Sequence, residues 1–408
     1  MRTPAHSHVR RARRRRAVTA RRQRYTQAVV TTPVTVPYVR YSNHGAHWFA
    51  ARALAGLLEG SGLDKADVDG LCLSSFTLAP DTAVGVTQHL GLSLRWLDHI
   101  PMGGAAGVVA LRRAARAAQA GDAQVVACVA ADTHQPDTLR TTVAAFSRFT
   151  QDAVYPYGAG GPNASFALLT SYYMRAYGAK REDFGKLCIA QRSNALSFPH
   201  ALLREPLTLE QYLAARPIAE PLCLFDCVMP CAGGEGFLIM RPERARDLGL
   251  KSASILGTLE RHNAFPEDPI QMRGGWALDR EALFAEAGVR HEQVDFLQTY
   301  DDYPVISLLQ IEDLGFCAKG EGPHFVRSHT FTHDGTFPHN TSGGQLSVGQ
   351  AGAAGGYLGL TEAVRQLTGT VLGSSVRDAR IGLVSGFGMI NYDRGLCCAA
   401  TLLAREEA

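Results

Sequence analysis

The chain has 408 residues, of which 46% are hydrophobic and 19% charged. That is the composition of an ordinary globular protein of about two to three domains, and it excludes collagen-like, wholly disordered and disulfide-framework classes. No stretch approaches the ~20 uninterrupted apolar residues of a membrane-spanning helix, and a chain of this length buries enough surface to form a core without metals or disulfides. The formal charge of +3 hides an asymmetry, because ten arginines and no acid lie in the first 24 residues, which leaves 31 basic against 38 acidic residues in the body.

The run Arg10-Arg11-Ala12-Arg13-Arg14-Arg15-Arg16 can in principle bind nucleic acid or an anionic surface. A block of like charges repels itself, so residues 1–25 read as a disordered extension or as sequence upstream of the true start. An Arg-rich, acid-free tail also fits an organellar transit peptide, whereas a secretory signal would need an apolar stretch here. The acidic body argues against a nucleic-acid-binding domain. Nine cysteines, an odd number, sit largely in apolar runs such as Val125 to Val129, as small buried hydrophobes do in a reducing, cytoplasmic setting. Cys223, Cys227 and Cys231 recur every four residues, but zinc sites favour closer pairs with a fourth ligand, and no metal is expected.

In chain order, a strand is predicted from about Gln27 to Val36, weakened by its prolines. A helix follows from His44 to Glu59, stopped by Gly60, then a short strand from Val68 to Leu73. Gly104 to Ala120 reads as an alanine-rich helix leading into a buried strand, Gln124 to Ala130. Asp132 to Pro162 is loop-like and rich in aromatics. Helices are then predicted over Phe166 to Gly178, Arg181 to Asn194 and Leu209 to Ala214, with a strand at Gly236 to Arg241. The pattern restarts with a strand near Ala253 to Leu259, a helix near Asp279 to Ala287 and a strand at Val294 to Gln298. A helix from Pro304 to Leu314 and a Gly-rich bend from Ser342 come next. A long helix from Ala351 to Leu367 precedes two closing strands, Ala379 to Ser385 and Gly388 to Leu402. Alternating helices and apolar strands imply two α/β halves, 26–245 and 246–408.

The stretch from Asn340 to Gly356 is the densest in glycine and alanine. It lets the backbone bend sharply and approach either a ligand or a neighbouring sheet, and it runs into a helix start whose N–H groups are free. It holds neither a P-loop lysine nor a dinucleotide fingerprint. Three histidines, His329, His333 and His339, precede it at spacings that fit no common zinc pattern.

Gly343-Gly344 through Gly349-Gln350 to Gly356 resembles the thiolase-superfamily motif G-G-x-x-x-x-G-H-P-x-G-x-x-G. Three further blocks follow the family's order. Gly103-Gly104-Ala105-Ala106-Gly107 stands in the place of the nucleophile motif N-x-C-A-S-G. Tyr300-Asp301-Asp302-Tyr303 sits where thiolases have N-E-A-F and the sterol-carrier-type branch has H-D-C-F. Gly386-Phe387-Gly388-Met389 resembles the end of the closing C-x-G-G-G, and Pro221 to Gly236 resembles the end of the family's first half. The resemblance spans about residues 27 to 402. It implies a thiolase-like α/β fold, two pseudo-symmetric α/β halves in a five-layered αβαβα arrangement.

The departures from the family carry the chemistry. The nucleophilic cysteine aligns with Gly104, the activating histidine with Gln350, the second cysteine with Val384, and the third motif's first residue with Tyr300. Claisen condensation needs a thiolate and a base, and neither glycine nor glutamine supplies one. The resemblance therefore implies a relative of the cysteine-less aldolases, which cleave β-hydroxyacyl-CoA by a retro-aldol reaction and need a base for the hydroxyl and an acid for the enolate carbon. Tyr300 is the first catalytic candidate, if its pKa is lowered, with Asp301 to tune it and His339 as the alternative base. Gly343, Gly344 and Gln350, with backbone N–H groups around Gly386 and Gly388, are the candidates for binding the thioester. Some aldolase relatives carry a tyrosine near the place of Val348. No tightly bound cofactor is expected, only a coenzyme A thioester as substrate, with Arg181, Arg192 or Arg204 as possible phosphate partners. The family also implies a homodimer and, for cysteine-less members, a small OB-fold, zinc-ribbon subunit. Two other readings stay open: an acyltransferase using Cys227, and a non-catalytic acyl-CoA binder. Phe146, Phe149, Tyr155 and Tyr157 suggest a bulky apolar guest.

Overall fold

Apolar runs with no polar alternation become strands covered on both faces, and here they build one mixed sheet. A computed structural model describes residues 24–136, 155–158, 161–391 and 394–406. Its large strands are β1 (Val29–Val39), β2 (Gly70–Ser74), β3 (Trp96–His99) and β4 (Val125–Asp132). A small hairpin, β5 (Pro217–Ala219) with β6 (Leu222–Cys223), precedes β7 (Ala232–Met240), β8 (Ser252–His262), β9 (Phe296–Gln298), β10 (Ile381–Asn391) and β11 (Arg394–Arg405). The main sheet has nine strands in the order β3-β2-β4-β7-β1-β8-β11-β10-β9.

Read outward from the middle, that order repeats itself. In each half the first strand lies innermost and pairs antiparallel with the last, which pairs antiparallel with the strand before it. That strand runs parallel to the half's second strand, β4 with β2 and β10 with β9. The halves join where Val29, Val30 and Thr31 of β1 pair with Ser254, Ala253 and Ser252 of β8. Helices Ala106–Ala120 and Gly355–Thr368 pack on each other and on strands of both halves, so they form the middle layer. Helix Ala46–Ser61 covers β1, β4 and β7 from one outer side, and Trp276–Ala287 covers β8 and β11 from the other. The five layers follow from these contacts.

Close approach in the middle layer explains its small residues. A Cβ on Gly107 would fall on the Gly356 carbonyl oxygen, and one on Gly356 would fall on that of Gly103. Larger side chains there would push the two helix starts apart.

Several expectations are corrected. Tyr25, assigned to the disordered extension, is packed: its hydroxyl meets Thr258 Oγ1 at 2.7 Å and the Arg116 guanidinium lies 3.8 Å from its ring centroid. Pro33 and Pro37 do not end β1 at Val36, because irregularities in the register after Thr31 and after Val36 absorb them. The long helix starts at Gly355, after a 3₁₀ turn, Gly352–Ala354. No break separates Ser385 from Gly388, since β10 runs on to Asn391. Gly386 and Gly388 are strand glycines placed where a backbone comes close: a Cβ on Gly386 would lie 2.6 Å from the Gly104 carbonyl oxygen, and one on Gly388 would fall on that of Met102.

Candidate active site

Tyr300 leaves the end of β9 and is fixed by its backbone. Its N–H donates to Ser385 O at 3.1 Å and Gln310 Oε1 at 3.2 Å, and its carbonyl accepts from Gln310 Nε2 at 2.7 Å. Gln310 is fully buried on helix Pro304–Asp313, so the clamp is rigid. The side chain points at the start of the helix layer. A Cβ built on Gly104 would clash with carbons of the Tyr300 ring. The phenol thus fills the space that a nucleophilic side chain at position 104 would need, and glycine there is a steric requirement.

The Tyr300 hydroxyl donates to Asp302 Oδ2 at 2.6 Å and accepts from Gln350 Nε2 at 3.2 Å. Gln350 is itself held, its Oε1 taking the Gly352 N–H at 2.6 Å. Tyr300, Asp302 and Gln350 border a recess of about 50 Å³ with Gly104, Phe387 and Gly388. Asp302 and Gln350 also border the adjoining cavity of about 490 Å³. Its walls are largely apolar, including Phe76, Ile218, Phe225, Val228 and Leu346, with Arg40, Arg216, His134 and Asn163 as polar points. An apolar chamber ending in a few converging polar groups is the form of a small-molecule site.

Burial dominates the electrostatics. It pushes the Tyr300 hydroxyl well above the usual phenol range, and the neighbouring Asp302 adds to the rise. The condition set for Tyr300 in the sequence, a lowered pKa, is therefore not met. Burial likewise raises Asp302 to about 7, with the Tyr300 hydrogen bond opposing and Asp301 reinforcing the shift. Asp302 Oδ1 is sealed from solvent and has no hydrogen-bond partner.

Asp301 turns the other way. Its oxygens accept from Gln345 N at 2.9 Å, Leu346 N at 3.3 Å and Gln191 Nε2 at 3.0 Å, so it caps the short helix Gly344–Val348. It borders neither the cavity nor the recess just described. His339 is fully buried behind β9, with Nε2 2.8 Å from Thr299 Oγ1, and burial drops its pKa to about 3. It too stands outside the chamber and stays neutral. Gly343 and Gly344 pack on helix Arg181–Ala195 and on Asp301: a Cβ on Gly343 would lie 2.5 Å from the Ala195 Cβ, and one on Gly344 would overlap Asp301 Oδ2. Of the five residues expected to hold the thioester, Gln350 borders both the chamber and the recess, Gly388 borders the recess, Gly386 supports the Gly104 turn, and the glycine pair shapes the loop.

Other candidates are also relocated. Arg181 is tied to Asp226 at 3.2 Å, Arg192 to Ser347 Oγ and Glu205 O, and Arg204 to Ala201 O. Among the described residues, the arginines on the chamber are Arg40 and Arg216. Cys227 does line the chamber, yet burial and the adjacent Asp226 push its thiol up to about 12, which leaves almost no thiolate at neutral pH. His329 stacks on Phe325 with ring centroids 4.0 Å apart. Among the described residues, no group of three His, Cys, Asp or Glu side chains is placed to hold a metal ion. Phe146, Phe149 and the Tyr155 side chain lie outside the described residues, and Tyr157 is exposed; the ends of that segment, Asp132 to His134 and Gly161 to Asn163, do line the chamber.

Asp302 is the residue that sequence reasoning passed over. The signal was available: on an extended segment leaving a strand, residues two apart share a face, so Tyr300 pairs with Asp302 and Asp301 points away.

The fold and site together define a thiolase-type scaffold whose nucleophile position is a glycine overlaid by a tyrosine. A family model described as thiolase C-terminal domain-like matches residues 268–397. A steroid side-chain-cleaving aldolase of Thermomonospora curvata is 30% identical over 83% of this chain and 90% of its own length. A 17-hydroxy-3-oxo-4-pregnene-20-carboxyl-CoA lyase of Mycobacterium tuberculosis is also 30% identical, over 89% of this chain and 97% of its own. The solved Ltp2-ChsH2(DUF35) aldolase superposes with a TM-score of 0.80 at 26% identity, covering 94% of this chain and 99% of that one. An acetyl-CoA acetyltransferase from Syntrophomonas wolfei shares the fold alone, with a TM-score of 0.67 at 15% identity over 93% of this chain and all of that one. The chain belongs to the thiolase superfamily, in the branch that holds these aldolases and acyl-CoA lyases.

Proposed function

We propose that the protein cleaves a carbon–carbon bond of a β-hydroxyacyl-CoA thioester by a retro-aldol reaction, without forming an acyl-cysteine. The observation that carries this is the overlay of the Tyr300 ring on the Gly104 Cβ position. It removes the nucleophile and puts a phenol in its place, in a branch whose relatives are named aldolase and lyase. The thioester carbonyl faces backbone N–H groups near Gly388, which stabilise the enolate as its charge develops. The acyl body fills the apolar chamber, whose size suits a bulky ring system, and Arg40 and Arg216 at its wall meet the phosphates of coenzyme A. Among the described residues no helix is long and apolar enough to cross a membrane. We place the protein in the cytoplasm as a homodimer, its halves meeting near residue 245, beside a small DUF35-type subunit with a zinc ribbon.

The test is to incubate the protein, alone and with such a subunit, with a panel of β-hydroxyacyl-CoA thioesters and to follow products by mass spectrometry. A ketone with the shortened acyl-CoA and no mass added to the protein is expected, and Tyr300→Phe lowers kcat by about 10²–10⁴. An acyl adduct on Cys227, or acyl transfer without cleavage, overturns the reading.

A further inference from the structure

We infer that Asp302 is the proton reservoir of this site, acting through Tyr300, so that one phenol–carboxylate pair carries the proton both away from the β-hydroxyl and back to the enolate carbon. The inference deepens the retro-aldol reading and rests on it. Three features of the geometry point to it. The Tyr300 proton is already directed at Asp302 Oδ2, 2.6 Å away. Gln350 Nε2 donates to the same phenol oxygen and keeps that direction fixed. Asp302 Oδ1 is buried without a partner, so this carboxylate has unused capacity, whereas Asp301 next to it has none to spare for the chamber.

The step balances with no outside reagent. As the substrate hydroxyl gives its proton to the Tyr300 oxygen, the phenol gives its own to Asp302. The alkoxide electrons form the ketone, the Cα–Cβ bond breaks, and its pair passes into the thioester enolate. After the ketone leaves, Asp302 returns its proton to Tyr300, and the phenol proton goes to the enolate carbon. Tyr300 is never required to persist as a free phenolate, which is why its elevated pKa does not obstruct the reaction. A carboxyl poised near neutrality is matched to such traffic.

The groups facing Asp302 are Tyr300, Asp301, Tyr303 and Cys227, with Asp132, His134, Arg40 and Arg216 around the chamber. Burial holds the tyrosines and Cys227 protonated at neutral pH. The competitors for an acidic limb are therefore Asp301, raised to about 6, Asp132, raised by burial, and His134, lowered.

The experiment is the pH profile of kcat/KM and kcat for the wild type, Asp302→Asn and Asp302→Glu, with folding checked by thermal melts. In the wild type the rate should fall as pH drops below about 7, when the reservoir is already full. Asp302→Asn should lower kcat about 100-fold or more, leave KM within about threefold and erase that limb, while Asp302→Glu recovers at least about tenfold. If Asp302→Asn does not fold, the glutamate variant carries the test through a displaced limb. Cleavage by Asp302→Asn at the wild-type rate, a limb that survives it, or a glutamate variant with the wild-type limb overturns the relay alone. A wild-type protein that cleaves no thioester of the panel overturns the retro-aldol reading as well.

Discussion

The loop after β2 and the loop after β9 leave equivalent strands of the two sheet halves, and both run past a buried carboxylate. In the first half Asp132, at the end of β4, takes the Ser75 hydroxyl at 2.9 Å, the Phe76 and Thr77 N–H groups at 2.9 and 2.6 Å, and the Thr77 hydroxyl at 2.6 Å. Its other oxygen accepts from Ala353 N at 2.6 Å, at the start of the middle-layer helix. Both carboxylate oxygens are bonded to backbone or hydroxyl donors, and the loop is an anchor. In the second half Asp301 plays that anchoring part for the Gly344–Val348 turn, and the residues on either side of it, Tyr300 and Asp302, are left to face the chamber. The same frame thus yields a fastening in one half and, in the other, the edge we propose as reactive. The difference lies in whether the polar atoms keep spare bonding capacity.

The strongest way to break this comparison is to cut the anchor. Asp132→Ala strips buried donors on the Ser75–Thr77 loop and at Ala353 of their acceptor. Stability should fall by about 2–4 kcal/mol, because buried donors without partners cost more than a lost bond. Denaturant melts of the variant and the wild type measure it, and an unchanged midpoint would show that the first loop is not held this way.

A second test addresses the reactive edge itself. Gly104→Cys puts a side chain where the Tyr300 ring stands, so the ring must move and its bonds to Asp302 and Gln350 are lost. Overpacking of this kind should cost about 1–3 kcal/mol, and cleavage should fall with it. Adding Tyr300→Ala should restore much of the stability and none of the cleavage, a non-additivity expected only for residues that contend for one space. Equal melting temperatures for the wild type and the single Gly104→Cys variant would remove the steric argument.

Much of the frame was legible in sequence because it is written in contrasts the eye can follow. Apolar strands such as Val125–Asp132 stand beside small-residue helices, and the glycine blocks mark where backbones touch. What escaped was set by tertiary contact. Helix Ala83–Leu90 and edge strand Trp96–His99 are short and carry no long periodicity, although the Thr82 hydroxyl accepting from Gly85 N and Gly91 at φ 66° are ordinary helix ends. The Gly386–Gly388 stretch looks like a strand break until Met102 and Gly104 are placed against it. At the site, a motif position gave Tyr300, while His339 attracted notice as a residue type and proved to be a neutral core side chain bonded to Thr299. Asp302 differs from Asp301 only by facing, which composition does not report.

The smallest expected effect is also the one with the opposite sign. A carboxyl whose folded pKa is raised makes the folded state bind its proton more tightly than the unfolded chain does. For Asp302, at about 7 in the fold against an ordinary value near 4, that contribution is fully present below about pH 4 and lost as pH rises through 7. At pH 8 the ionised side chain is a net cost, moderated by its partial exposure. Asp302→Asn keeps an acceptor for the Tyr300 hydroxyl and removes the charge, so the variant should be more stable than the wild type by about 1–2 kcal/mol at pH 8 and near parity at pH 4. Asp132→Ala should be less stable at both. Melting curves for the two variants and the wild type at pH 4, 6 and 8 decide it. Should Asp302→Asn lose stability at pH 8 as Asp132→Ala does, the two loops hold their acids in the same way, and the contrast between fastening and reactive edge disappears.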